Sequence, residues 1–99
     1  MLMSVLNKFN LNHMTMFVAV IDAGSITAAA HQLGMSLPMV NTHLRKLESD
    51  LGVSLLNRTT HPASPTDAGR VFYNASRDVL GLVEQAIAVA RGGEAAREI

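Results

Sequence analysis

Residues 24–52 read GSITAAAHQLGMSLPMVNTHLRKLESDLG, and the punctuation of this stretch predicts two helices joined by a tight turn. Ser25 stands where the first helix begins, its hydroxyl available to the open amides of the next turn. Ile26, Ala29, Ala30 and Leu33 follow at helical spacing on one face, and Gly34 ends the segment. Ser36 offers a second cap. Pro38 falls in the first turn of the second helix, where amides lack an intrahelical partner in any case. Leu37, Val40, Leu44, Leu47 and Leu51 then step by three and four along one side until Gly52 stops the helix. Ala30 is small, as a close helix crossing requires. Gly34, four residues on, permits the positive φ such a turn demands, and Val40 packs back into the crossing. This is helix-turn-helix spacing, in which the second helix is pushed outward to where it can enter a major groove.

Working upstream, Leu11, Met14, Val18 and Ile21 form the inward face of a preceding helix, widened by Phe17 and broken at Ala23-Gly24. Downstream, Val53 to Leu56 reads as a short strand, and Arg58 to Pro65 has the residues of a turn or β-wing. Thr66 caps a last helix, with Asp67 beside its positive end. That helix, from about residue 67 to 91, is about 37 Å long at 1.5 Å per residue. Phe72, Ala75, Val79, Leu82, Ala86 and Val89 keep a three-four heptad, with Leu80, Val83, Ile87 and Ala90 beside it. So wide an apolar face cannot stand alone in water. One side is expected on the first helix and the other on a second copy of the chain, through Phe72, Ala75, Val79, Leu82, Val83, Ala86 and Val89.

The expected architecture is therefore mainly α: a winged helix-turn-helix over residues 1–66, with a three-helix core and a short β-wing, then a long dimerisation linker helix over 67–91. Gly92-Gly93 ends that helix, and 92–99 reads as the start of a hinge. Composition agrees. Of 99 residues, 48% are apolar and 16% charged, which argues against disorder. Cysteine is absent, so disulfides and thiolate metal sites are excluded. The apolar run Met14 to Ile21, interrupted by Thr15 and closed by Asp22, is too short to span a bilayer; a cytoplasmic protein without membrane contact is expected. Net charge is zero, whereas a basic footprint is the usual sign of a nucleic-acid partner. Its distribution has the right polarity: residues 1–77 hold six cations and four anions, the remaining 22 two cations and four anions.

On the second helix of the motif, Pro38, Met39, Thr42, Arg45, Lys46 and Ser49 lie opposite the leucine stripe, with Asn41 at the edge. A groove about 12 Å wide admits such a face, and Asn, Thr and Arg are residue types that read base edges, while Met39 could meet a thymine methyl. On an arbitrary helix these would be a solvated surface; turn and wing together favour the functional reading. The run from Phe17-Val18-Ala19-Val20 through Gly24 to Ala30, Leu33 to Pro38, Leu44 to Glu48, Leu51 to Thr60 and Thr66-Asp67-Ala68-Gly69 resembles the N-terminal domain of LysR-type transcriptional regulators, over residues 10 to about 90. The resemblance implies a bacterial, sequence-specific DNA-binding regulator that grips a pseudo-palindromic operator as a homodimer, with antiparallel linker helices. It also implies a small-molecule effector domain further along a longer protein, and higher oligomers there.

Carried over by position, the family's base-reading sites fall on Leu37, Pro38, Asn41 and Thr42, to which Met39 and Arg45 are added from their place on the helix. Backbone contacts fall on Ser25, Thr27, Ser36, Arg45, Lys46, Arg58 and Thr66. There are departures. Leu37 stands where the family usually has glutamine, Asn41 where it usually has serine, His61 at a common arginine place in the wing, and Pro65 in place of leucine. Leucine cannot donate to a base, so the operator should differ at that step. Fewer cations should weaken binding or make it lean on shape and neutral donors. Phosphate near His61 would favour its protonated form, so binding is expected to tighten as pH falls from about 8 to about 6; an idle loop histidine is the plainer reading.

Catalysis finds little support. His13, His31, His43 and His61 occupy four different elements, without an i,i+4 pair, so neither a metal site nor a cofactor is expected. Ser25 and Ser36 are explained as caps, and no nucleophile, base and orienter come together. The competing reading is a winged helix that dimerises and binds another protein, with little or no grip on DNA.

Overall fold

Four side chains start four helices of the fold. In the computed structural model, which describes residues 2–92, Asn10 Oδ1 accepts from the Asn12 amide at 2.8 Å, and Ser25 Oγ from Ala28 at 3.0 Å. Ser36 Oγ accepts from Met39 at 3.2 Å and Thr66 Oγ1 from Gly69 at 2.9 Å. Each satisfies an amide that the first helical turn leaves open. The caps open α2 (Leu11–Ala23), α3 (Ile26–Leu33), α4 (Leu37–Leu51) and α5 (Asp67–Ala90), preceded by a seven-residue α1 (Leu2–Lys8). Gly34 ends α3 with φ of 67° and gives its amide to the Ala30 and His31 carbonyls, as the turn requires.

The core lies where α2, α3 and α4 meet. Phe17, Val20, Ala29, Val40, Leu44, Leu47, Leu55 and Leu56 are buried there, with Ile26 and Ala30 at its margin. Two expectations about inward faces are corrected. Leu11 is 41% exposed, and α2 turns in His13, Met14, Phe17 and Val20, while Val18 and Ile21 are half-buried. The helical period is right but its phase is rotated, because α2 is covered on one side by α3 and α4 and on another by α5. Phe17, fully buried, takes the centre of that wide arc. Leu37, expected in the inward stripe of α4, is 42% exposed, since the first turn of α4 projects past the core.

The strand expected over Val53 to Leu56 is also corrected. β1 (Leu56–Asn57) pairs antiparallel with β2 (Ser64–Pro65), in register Leu56 to Pro65 and Asn57 to Ser64. The preceding backbone is held differently: the Leu55 and Leu56 amides donate to Glu48 Oε2 at 2.7 and 3.1 Å. A carboxylate on α4, together with the Thr66 amide on the Leu55 carbonyl at 3.0 Å, fixes this segment. The sequence pattern predicts no element over Leu2–Lys8; a helix of about two turns carries too few residues for a period to register.

The base of α5 belongs to the same packing unit. Phe72 sits against Phe9 and Phe17, with ring centroids 6.4 and 5.8 Å away, and Ser76 is fully buried. Gly69 approaches so closely that a Cβ there would lie 2.1 Å from the Leu55 carbonyl oxygen. The boundary expected between residues 66 and 67 marks a change of element, yet packing continues through Ser76. Beyond it Val79, Leu82, Ile87 and Val89 are exposed. Helix α5 ends at Ala90 with Arg91 as its cap; of the expected hinge over 92–99, all but Gly92 lies outside the described residues.

Candidate nucleic-acid interface

Helix α4 presents two chemically different sides. Val40, Leu44 and Leu47 are sealed in the core, while Pro38, Met39, Thr42, Arg45, Lys46 and Ser49 face solvent as their positions predict. Its first turn forms one wall of an open cleft of about 340 Å³. Ser25 and Thr27 at the start of α3, Leu37 and Asn41 on α4, and Arg58, Thr60 and His61 on the wing line it together. Six residues named from sequence for base or backbone contact thus converge on one concavity. Ser36 caps α4 at the same end.

The hydrogen bonds decide what these side chains have left to offer. Thr42 Oγ1 donates to the Pro38 carbonyl at 2.9 Å, which leaves acceptor lone pairs facing outward. Ser25 and Ser36 accept from helix amides and keep their hydroxyl protons. Thr66 is more fully engaged: besides accepting from Gly69 it donates to the Ser54 carbonyl at 2.7 Å. Lys46 pairs with Asp50 at 2.8 Å on the helix surface, a contact that phosphate can readily replace. Arg45 is exposed and joins no ion pair among the described residues.

Arg58, read from sequence as a cation for the DNA backbone, sits inside a network. Its Nη1 donates to Glu48 Oε1 at 2.8 Å and its Nε to Asn41 Oδ1 at 3.3 Å, while Nη2 is buried without a partner. Burial of Glu48 would push its carboxyl up, but the Leu55 amide, the Arg58 guanidinium and the Leu56 amide outweigh that and hold it below the usual carboxylate range. Glu48 therefore ties α4, strand and wing together. Sequence reasoning gave it no role, because its partners come from a different element and become neighbours only on folding.

The fold also joins two histidines that the sequence placed in separate elements. His13 Nε2 and His43 Nδ1 lie 3.0 Å apart between α2 and α4. Burial, then His43, lower the pKa of His13, with Lys46 adding to this and Asp50 opposing it. Among the described residues no three groups of metal-ligating type gather. His31 is exposed on α3, and His61, followed by a cis peptide to Pro62, is exposed on the wing.

Of the expected dimer residues, Phe72 packs within its own chain and Val83 is half-buried. Ala75, Val79, Leu82, Ala86 and Val89 are exposed along α5, Leu82 at 64%. No single helix among the described residues is long and apolar enough to cross a membrane.

An outward helix carrying polar side chains beside a short wing and above a three-helix core defines a winged helix-turn-helix. Residues 11–70 match the family of bacterial regulatory helix-turn-helix proteins, lysR family, and the chain belongs to it. It is 43% identical over 86 residues to the HTH-type transcriptional regulator PtxR of Pseudomonas aeruginosa, which covers 87% of this chain and 28% of PtxR. With the HTH-type transcriptional activator AaeR of Escherichia coli it shares 43% over 74 residues, 75% of this chain and 24% of that protein. The crystal structure of the BenM DBD with benA site 1 DNA is 32% identical with a TM-score of 0.81, over 84% of this chain and 96% of that one. CbnR, a LysR family transcriptional regulator, gives 34% and 0.79, over 84% of this chain and 29% of that one. The chain thus spans about a quarter of the length of the curated relatives it matches.

Proposed function

We propose that the chain is the DNA-binding part of a LysR-type transcription regulator and acts as a homodimer on a pseudo-palindromic operator. Helix α4 enters the major groove, with Leu37, Pro38, Met39, Asn41, Thr42 and Arg45 at base edges. Ser25, Thr27, Ser36, Lys46 and His61 meet the phosphates, and Arg58 and Thr66 hold the wing at their side. The observation that carries this reading is the convergence of α3, α4 and wing residues on one cleft beside the polar face of α4. Two copies pair through Ala75, Val79, Leu82, Val83, Ala86 and Val89. Such a face, apolar and exposed over the far half of a helix about 36 Å long, is stable in water only when covered. In the longer protein a small-molecule effector domain follows the hinge, and the regulator works in the cytoplasm without catalysis or cofactor.

Fluorescence anisotropy with short duplexes between 50 and 200 mM salt tests the reading. Affinity for a duplex should fall steeply over that range, because each phosphate neutralised by the protein releases condensed counterions. Binding that ignores salt, or a preference for another protein over any duplex, favours the interaction module instead.

A further inference from the structure

An arginine beside an asparagine settles which way the amide points. Guanidinium groups only donate, so the Asn41 atom facing Arg58 Nε at 3.3 Å is the carbonyl oxygen. Its amino group is then turned away. Nδ2 makes no hydrogen bond among the described residues, yet it is not among the sealed, unpartnered polar atoms. It is therefore open to solvent, on a side chain that lines the cleft with Leu37, one helical turn earlier. The arrangement is held from behind: Glu48, itself fastened to the Leu55 and Leu56 amides, grips the other arm of the guanidinium at 2.8 Å.

From this geometry we propose that Asn41 is a specificity-determining residue that reads the major groove through its amino group, with Arg58 as the positioning residue that imposes this polarity. The inference rests on the DNA-binding reading above. An asparagine with a free amide pairs two ways with adenine, accepting from N6 and donating to N7. With its carbonyl turned to Arg58, Asn41 does not present oxygen and amino group side by side, as the two-bond match to adenine N6 and N7 requires. It matches edges that present acceptors, and guanine, with O6 and N7 side by side, fits best. Leu37 has no polar group with which to restore an acceptor.

The test starts from the best duplex selected by the purified chain from a random pool. Wild type and Asn41→Ala are then compared on that duplex, with 7-deazaguanine replacing guanine (N7 removed) or purine replacing adenine (N6 amino group removed), one position at a time. Loss of N7 at one guanine is expected to weaken wild-type binding about tenfold, the worth of one good base contact, and to leave Asn41→Ala unaffected. Dependence of wild type, but not of Asn41→Ala, on an adenine N6 group overturns the proposal, as does absence of coupling to any base.

Arg58→Lys keeps a cation for Glu48 but releases the Asn41 carbonyl, so adenine should gain on guanine at that step by about tenfold; unchanged preference in the folded variant removes Arg58 from the account. Should that variant fail to fold, Asn41→Asp, which preserves the pairing with Arg58 and offers acceptors alone, is expected to abolish the guanine preference. Retention of that preference would defeat the idea. A chain that binds no duplex at 50 mM salt defeats the DNA-binding reading as well, whereas binding with adenine read through N6 defeats this one alone.

Discussion

The two ends of helix α5 are written in the same residue types and meet opposite fates. Near its start, Phe72 packs against Phe9 and Phe17, Gly69 touches the Leu55 carbonyl and Ser76 is shut off from water. Two turns later the heptad continues unbroken, but Val79, Leu82 and Val89 stand in solvent. Apolar periodicity announces that a helix has a side to bury. Whether that side is covered from within the chain depends on what else the fold brings alongside, and here α2 reaches only the first half.

The largest effects should fall on the covered half. Phe17→Ala is expected to lower unfolding stability by about 3–5 kcal/mol, read from urea titrations, because it empties the centre of the core. Leu82→Ala should change the stability of the dilute monomer by no more than about 0.5 kcal/mol. A comparable loss in both would erase the contrast.

Next in size is the joint between helix and wing. Glu48→Gln removes a charge that pairs with Arg58 and accepts from two amides, and should cost about 2–3 kcal/mol. Because the folded carboxyl titrates below its usual range, its contribution is present above the unfolded value of 4.5. It is lost as pH falls through the folded value. Acid melts of wild type should therefore be steeper than those of Glu48→Gln between 4.5 and the lowered folded value.

Leu82→Glu tests the uncovered half. Two charges placed in the proposed seam should yield monomers in sedimentation while the near-half fold, followed by circular dichroism, persists. A variant that stays dimeric moves the seam elsewhere.

The smallest expected effect comes from the histidine pair. The folded pKa of His13 is lowered, so on acidification the unfolded chain takes up its proton first. Stability then falls as pH drops below the ordinary imidazole value of 6.5 towards the lowered one, and is retained above it. Melting temperatures between pH 7.5 and 5.5 should show this slope in wild type and a flatter one in His13→Gln.

Much of this was legible beforehand because it is local. Ser25, Ser36 and Thr66 cap the helices they precede, Gly34 and Gly52 end them, and the Val40, Leu44 and Leu47 stripe is buried, since each follows from residues within a turn or two of one another. The polar face of α4 came from the same short-range spacing, and the family from the resemblance carried by the run between Phe17 and Gly69.

Tertiary structure alone decided the rest. It rotated the buried arc of α2, because coverage from two sides is set by elements dozens of residues away. It made Glu48 the clamp on Leu55, Leu56 and Arg58, turned the Asn41 carbonyl towards Arg58, and set His13 against His43 across 30 positions of chain. The physical reason is common to all of them: hydrogen-bond polarity and burial belong to pairs of groups, and a linear sequence does not say which distant pairs will meet.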